Sequence, residues 1–172
     1  EFSEIVDCVF SNNTAKSSGG VWKYKPNAAG KQAPDALVVR NSLFADNDVS
    51  TGSTVGNGGA VALEASVRDL SFENCTFAQN TADGAGDALH AADGAAFTAA
   101  NCLFSSGTGE ELSAASADLF SHCFATTGGL LTDGVNGNVV RDAPGFVDPE
   151  GGDFRLTGGS PCVDAATELA WM

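Results

Sequence analysis

The segment Asn74-Cys75-Thr76-Phe77-Ala78-Gln79-Asn80 returns along the chain in close copies. They are Asp7-Cys8-Val9-Phe10-Ser11-Asn12-Asn13, Asn41-Ser42-Leu43-Phe44-Ala45-Asp46-Asn47 and Asn101-Cys102-Leu103-Phe104-Ser105-Ser106-Gly107, with a worn fifth at His122-Cys123-Phe124-Ala125. The slot held by Cys75 is filled in turn by Cys8, Ser42, Cys75, Cys102 and Cys123, at spacings of 34, 33, 27 and 21 residues. A repeat of that length marks a stacked array, because one unit cannot bury its apolar face alone. Within each copy the slot and the Phe two positions on are apolar, which is strand periodicity. Upstream, Leu37 and Val39, Leu70 and Phe72, and Phe97 and Ala99 alternate in the same way.

The two alternating pairs are out of step with each other. On one straight strand, Leu70 and Phe72 would face away from Cys75 and Phe77. A sharp bend at the intervening residue lets both pairs point inward, and Asn tolerates the left-handed backbone that such a bend requires. Asn41, Asn74 and Asn101 hold this position, with Asp7 and His122 at the ends. Stacking would align the three asparagines in a ladder of amide hydrogen bonds. A third strand is read from Gly19-Gly20-Val21-Trp22, Gly58-Gly59-Ala60-Val61-Ala62-Leu63 and the degenerate Gly86-Asp87-Ala88-Leu89-His90. Short strands joined by bends and repeated in parallel predict an all-β, right-handed parallel β-helix; the hand follows from crossover chirality. A single domain is expected, with coils over 1–142 and a closing segment over 143–172. A short helix is expected over 165–171.

The chain has 172 residues, 43% of them hydrophobic, enough for one real core. With 22 acidic against 8 basic residues the net charge is −14, a field for which nucleic acid and anionic membranes are poor partners. No apolar run is long enough to cross a bilayer, so no membrane span is expected. The start at Glu1, without a Met or a capping segment, reads as part of a larger chain or assembly. Residues 105–119 read as a small polar excursion.

Four of the five cysteines share one slot, so they form a positional stack rather than a disulfide framework. Coils about 4.8 Å apart keep parallel Cβ atoms slightly too distant for a bridge, and free, buried thiols are expected. No cofactor is expected. Calcium is the candidate ion, at Asp83, Asp87 and Asp93, whose Asp-Gly spacing also serves ordinary turns. The four lysines, Lys16, Lys23, Lys25 and Lys31, fall in one stretch with Trp22 and Tyr24. Trp22, Tyr24, Lys23, Lys25 and Lys31 form either a sugar-binding surface, with aromatic faces for rings and lysines for anionic groups, or a solvated loop with its Trp shielding an edge.

Phe10-Ser11-Asn12-Asn13, Phe44-Ala45-Asp46-Asn47 and Phe77-Ala78-Gln79-Asn80, each followed by a Gly-Gly or Gly-Asp strand, resemble the polymorphic outer-membrane protein repeats of bacterial autotransporter adhesins. The resemblance covers about residues 5–107. Ala143-Pro144-Gly145-Phe146-Val147-Asp148-Pro149, Gly152-Asp153-Phe154-Arg155-Leu156 and Gly159-Ser160-Pro161-Cys162-Val163-Asp164-Ala165 look like the terminal segment of secreted β-helix proteins with a choice-of-anchor type ending. That likeness implies that Phe146, Phe154, Leu156 and Cys162 pack over the last coil, and that the protein is extracellular or on a cell surface.

Two functions stand. One is a non-catalytic surface β-helix that serves adhesion, structure or assembly, with a protein partner or a surface glycan. The other is a carbohydrate-active β-helix: a lyase, a hydrolase or a sugar-binding module. A lyase would draw its base from Arg40, Arg68, Arg141 or Arg155, or from the lysine stretch; a hydrolase needs two facing carboxylates. Thr14, Thr51, Thr76 and Thr81 make no regular rank of the kind that ice binding requires, and His90 and His122 sit in slots otherwise filled by structural residues.

Overall fold

The computed structural model describes residues 3–24, 36–50, 56–106, 109–126 and 129–172. The chain is all-β, and its main sheets are parallel. A first sheet stacks Ser3–Val6, Leu37–Arg40, Leu70–Glu73, Phe97–Ala100 and Phe120–Ser121. A second stacks Val9–Ser11, Leu43–Ala45, Thr76–Ala78, Leu103–Ser105, Phe124–Ala125 and Val139–Val140. A third stacks Trp22–Tyr24, Val61–Leu63, Leu89–Ala91 and Leu112–Ser113. In each sheet, consecutive repeats pair in register, as in Leu37↔Leu70↔Phe97 and Phe44↔Phe77↔Phe104. This arrangement is compatible with a β-helix.

The step from first to second sheet is the left-handed bend. Asp7, Asn41, Asn74, Asn101 and His122 all have φ between 49° and 55° there, and Gly137 continues the series at 73°. Because of the bend, Leu70 and Phe72 share the interior with Cys75 and Phe77, and all four are at most 2% exposed. Phe10, Phe44, Phe77 and Phe104 stack ring on ring, with centroids 4.7–4.9 Å apart. Phe72 and Phe120 meet this column edge-on. The worn copy breaks the column. Register puts Ala125, not Phe124, beneath Phe104, because its Phe is one residue closer to the slot than in the other copies. Phe124 faces the opposite side, where the C-terminal segment helps to cover it.

The third sheet explains the paired glycines. A Cβ on Gly20 would lie 2.3 Å from the Gly59 carbonyl oxygen, and one on Gly59 would lie 2.1 Å from that of Asp87. The sheet also runs one strand further than the sequence indicates. Residues 105–119 are not merely a polar excursion, because Leu112–Ser113 pairs with Leu89–Ala91 and Glu111 is buried.

The C-terminal segment departs from expectation twice. No helix forms over 165–171. Of the apolar side chains expected over the last coil, Leu156 and Cys162 line a groove with Phe124 and Val139, but Phe146 and Phe154 lie against earlier coils. Phe146–Asp148 and Asp153–Leu156 form an antiparallel hairpin, with Phe146 and Phe154 edge-to-face at 5.3 Å. From there the segment runs back along the flank of the stack. Phe154 shares a cleft with Leu43 and Thr76, the Asn101 carboxamide is bonded to the backbone of Thr167, and the Trp171 ring lies 5.1 Å from the Arg40 guanidinium.

Candidate functional site

The asparagines divide into two groups with different work. Asn41, Asn74 and Asn101 make the left-handed bend, but the amide ladder does not run through them: the Asn101 side chain is engaged with Thr167, and Asn41 is exposed. The ladder runs instead through the last residue of each Phe-x-x-Asn. Asn13 Nδ2 donates to Asn47 Oδ1 at 2.9 Å, and Asn47 Nδ2 donates to Asn80 Oδ1 at 2.9 Å. The same oxygens accept the backbone N–H of Asn13 and Asn47, both at 3.1 Å. The second amide hydrogen of Asn47 caps the Phe10 carbonyl, and that of Asn80 caps the Phe44 carbonyl. Asn47 and Asn80 are fully buried. A second left-handed residue, at Asn12, Asp46 and Gln79, turns these asparagines inward. The Phe-x-x-Asn spacing was the available signal.

In the fourth copy the ladder position falls to Gly107, outside the described residues, and Glu111 binds the backbone beside it. Its carboxylate accepts the N–H of Ser106 and of Thr126, both at 3.0 Å, and the Thr126 hydroxyl. Burial pushes the Glu111 carboxyl up despite these donors. Asn138 plays a similar part in the cysteine slot, accepting the Cys123 N–H at 2.9 Å.

The slot residues line up. Backbone bonds of 2.8–3.0 Å run from Leu43 to Cys8, Thr76 to Ser42, Leu103 to Cys75, Phe124 to Cys102 and Val139 to Cys123. All five cysteines are free; Cys75, Cys102 and Cys123 are buried, and Cys8 and Cys162 are half-buried.

The aromatic and lysine stretch is only partly described. Trp22 packs into the stack, edge-on to Phe72 at 6.4 Å, and lines a small apolar hollow with Ile5, Phe10, Val21 and Phe44. Lys23 and Tyr24 continue the same strand. Lys25 and Lys31 lie outside the described residues.

Asp83 and Asp93 are exposed, whereas Asp87 is buried and accepts the Ala82 N–H at 3.0 Å. Among the described residues, no three His, Cys, Asp or Glu side chains are grouped to hold a metal ion. The arginines that a lyase would call on are engaged. Arg40 bridges Glu4 and Glu73 beneath Trp171. Arg68 donates to the carbonyls of Ala65, Val67 and Gly94. Arg141 pairs with Asp133 and Arg155 with Asp153. His90 faces Glu64, Asp93 and Glu110 on the third sheet, where burial pushes its imidazole down. Against the flank, a groove of about 250 Å³ runs between the cysteine slot and the C-terminal segment, with Leu103 and Phe124 on one wall and Leu156, Cys162 and Met172 on the other.

The Chlamydia polymorphic membrane protein repeat matches residues 7–21. That window holds Phe10 of the ring column, Asn13 of the amide ladder, and Gly19 and Gly20 of the tight turn. No curated protein and no solved structure matches the chain.

Proposed function

We propose that the chain is a right-handed parallel β-helix with a non-catalytic role at a cell surface or outside the cell, where its faces contact a protein partner or a surface glycan. The observation that carries this reading is the double use of one motif. The matched window 7–21 belongs to a repeat named for membrane proteins, and its Phe, Asn and Gly-Gly are the residues that bind one coil to the next. The polar side chains with catalytic potential support it too: Arg40, Arg68 and Glu111 are engaged between coils, and Arg141 and Arg155 in surface ion pairs. The hand rests on the general preference of parallel crossovers. Adhesion and assembly both use long, flat faces of this kind.

The test is to incubate the purified chain with a panel of acidic and neutral polysaccharides and with intact cells. Retention and the release of reducing or unsaturated ends are read together. Retention on cells or glycan without release is the expected result. Release of new ends would overturn the non-catalytic reading.

A further inference from the structure

Three thiols stand on consecutive rungs of the slot. The Leu103 N–H bonds to the Cys75 carbonyl and the Phe124 N–H to the Cys102 carbonyl, each at 2.8 Å, which fixes Cys75, Cys102 and Cys123 as neighbours in register. The Cys75, Cys102 and Cys123 thiols donate to the carbonyls of Val39, Ala100 and Ala99, each at 3.4 Å. Ser42 separates this trio from Cys8, and Asn138 closes it at the other end. The trio is buried, yet all three cysteines line the flank groove of about 250 Å³.

We propose that this trio is an oxidation site, at which a peroxide converts Cys102 and one neighbour into a single rung-to-rung disulfide. Cys75 is the thiol that reacts first. The neighbouring Cys102 thiol holds it below the usual thiol range, whereas burial pushes Cys102 well up. The attacking species is the thiolate. The Cys75 sulfur attacks one peroxide oxygen and the O–O bond breaks. A sulfenic acid forms at Cys75, and the thiol proton leaves with the departing oxygen as water. The Cys102 sulfur then attacks the Cys75 sulfur, and its proton leaves with the displaced hydroxide as a second water. Two thiols lose two electrons and two protons, and hydrogen peroxide becomes two waters.

The odd number of thiols restricts the product. Rungs lie about 4.8 Å apart, so Cys75 and Cys123, two rungs apart, are out of disulfide reach. Every bridge must therefore include Cys102, and only one forms per chain. Attack of the Cys123 thiol on the Cys102 sulfur moves the bridge up one rung and frees Cys75. A disulfide wants its Cβ atoms about 3.5–4.5 Å apart, closer than the rung, so the bridge is strained and readily reduced. A reversible redox site follows.

The test exposes the folded chain to hydrogen peroxide, counts thiols, and maps peptides after cleavage on the amino side of aspartate. Asp83, Asp87, Asp93 and Asp118 then put the three thiols on separate peptides. The expected result is a fall from five free thiols to three, with Cys75–Cys102 or Cys102–Cys123 linked peptides that a dithiol reverses. Cys102→Ala is expected to keep all its remaining thiols. Cys75→Ala and Cys123→Ala each leave one adjacent pair and are expected to lose two thiols. The proposal is overturned if the folded wild type keeps five thiols under peroxide that oxidises the urea-unfolded chain. A bridge through Cys8 or Cys162, or a sulfinic acid in place of a disulfide, overturns it equally. The wild-type map decides the matter even if Cys102→Ala does not fold.

Discussion

Asn41 and Asn80 do unlike jobs, and substitution separates them. Asn80→Ala removes the acceptor of two donors on Asn47 and the donor to the Phe44 carbonyl, all inside the protein. Buried polar groups left without partners cost about 1–3 kcal/mol each, so a loss of several kcal/mol in a urea unfolding curve is expected. Asn41→Gly is expected to leave that curve almost unchanged, because the residue at φ 49° is there for its backbone and glycine adopts it freely. Glu111 gives the matching pH experiment. Its folded carboxyl titrates above the unfolded one because burial penalises the charge. Its contribution to stability is therefore full below the ordinary glutamate range and is lost as pH rises through the raised value. Across that window the stability of Glu111→Gln relative to wild type is expected to rise with pH, read as the difference in Tm at successive pH values. A flat difference would show that the carboxylate is not titrating inside the fold.

The same contrast shows how far an element can be read from its residues. The bend was legible, because alternation on either side of Asn74 goes out of phase by one residue and only a reversal of the backbone repairs it. The ladder was less legible, because the bend at Asn74 and the amide bonds at Asn80 fall on different asparagines. Once a second left-handed residue precedes Asn80, it is Asn80 that turns inward. The strand Leu112–Ser113 is hard to read for a chemical reason: the Gly58-Gly59 of the second coil becomes Gly109-Glu110, and Glu111 stands where Ala60 and Ala88 do, so the stretch reads as surface. Trp22 stands among lysines in sequence, and its neighbours in space are Phe72 and Phe10, which sequence order does not reveal. Within the ring column, Phe77 is fully buried between Phe44 and Phe104. Phe77→Ala is expected to cost about 3–5 kcal/mol by denaturant titration, since in-register neighbours cannot collapse into the hole.

For the molecule as a whole, charge is the dominant long-range term. A net charge of −14 destabilises the compact state by self-repulsion, so sodium chloride in the range that shortens the Debye length below about 10 Å is expected to raise Tm. Calcium at equal ionic strength is expected to add nothing further, because Asp83 and Asp93 are exposed while Asp87 is turned into the protein. An extra calcium-dependent rise of several degrees would show that the ion binds the folded chain. Stacked coils are held only by nearest neighbours, and such arrays fray from their ends one unit at a time. The C-terminal segment alters that behaviour. It touches Arg40 of the second coil and Asn101 of the fourth, and lines a groove with Val139 near the last. Like a batten nailed across planks, it spreads a pull on any one coil over most of the others, so the stack should yield to force in one large event rather than peel.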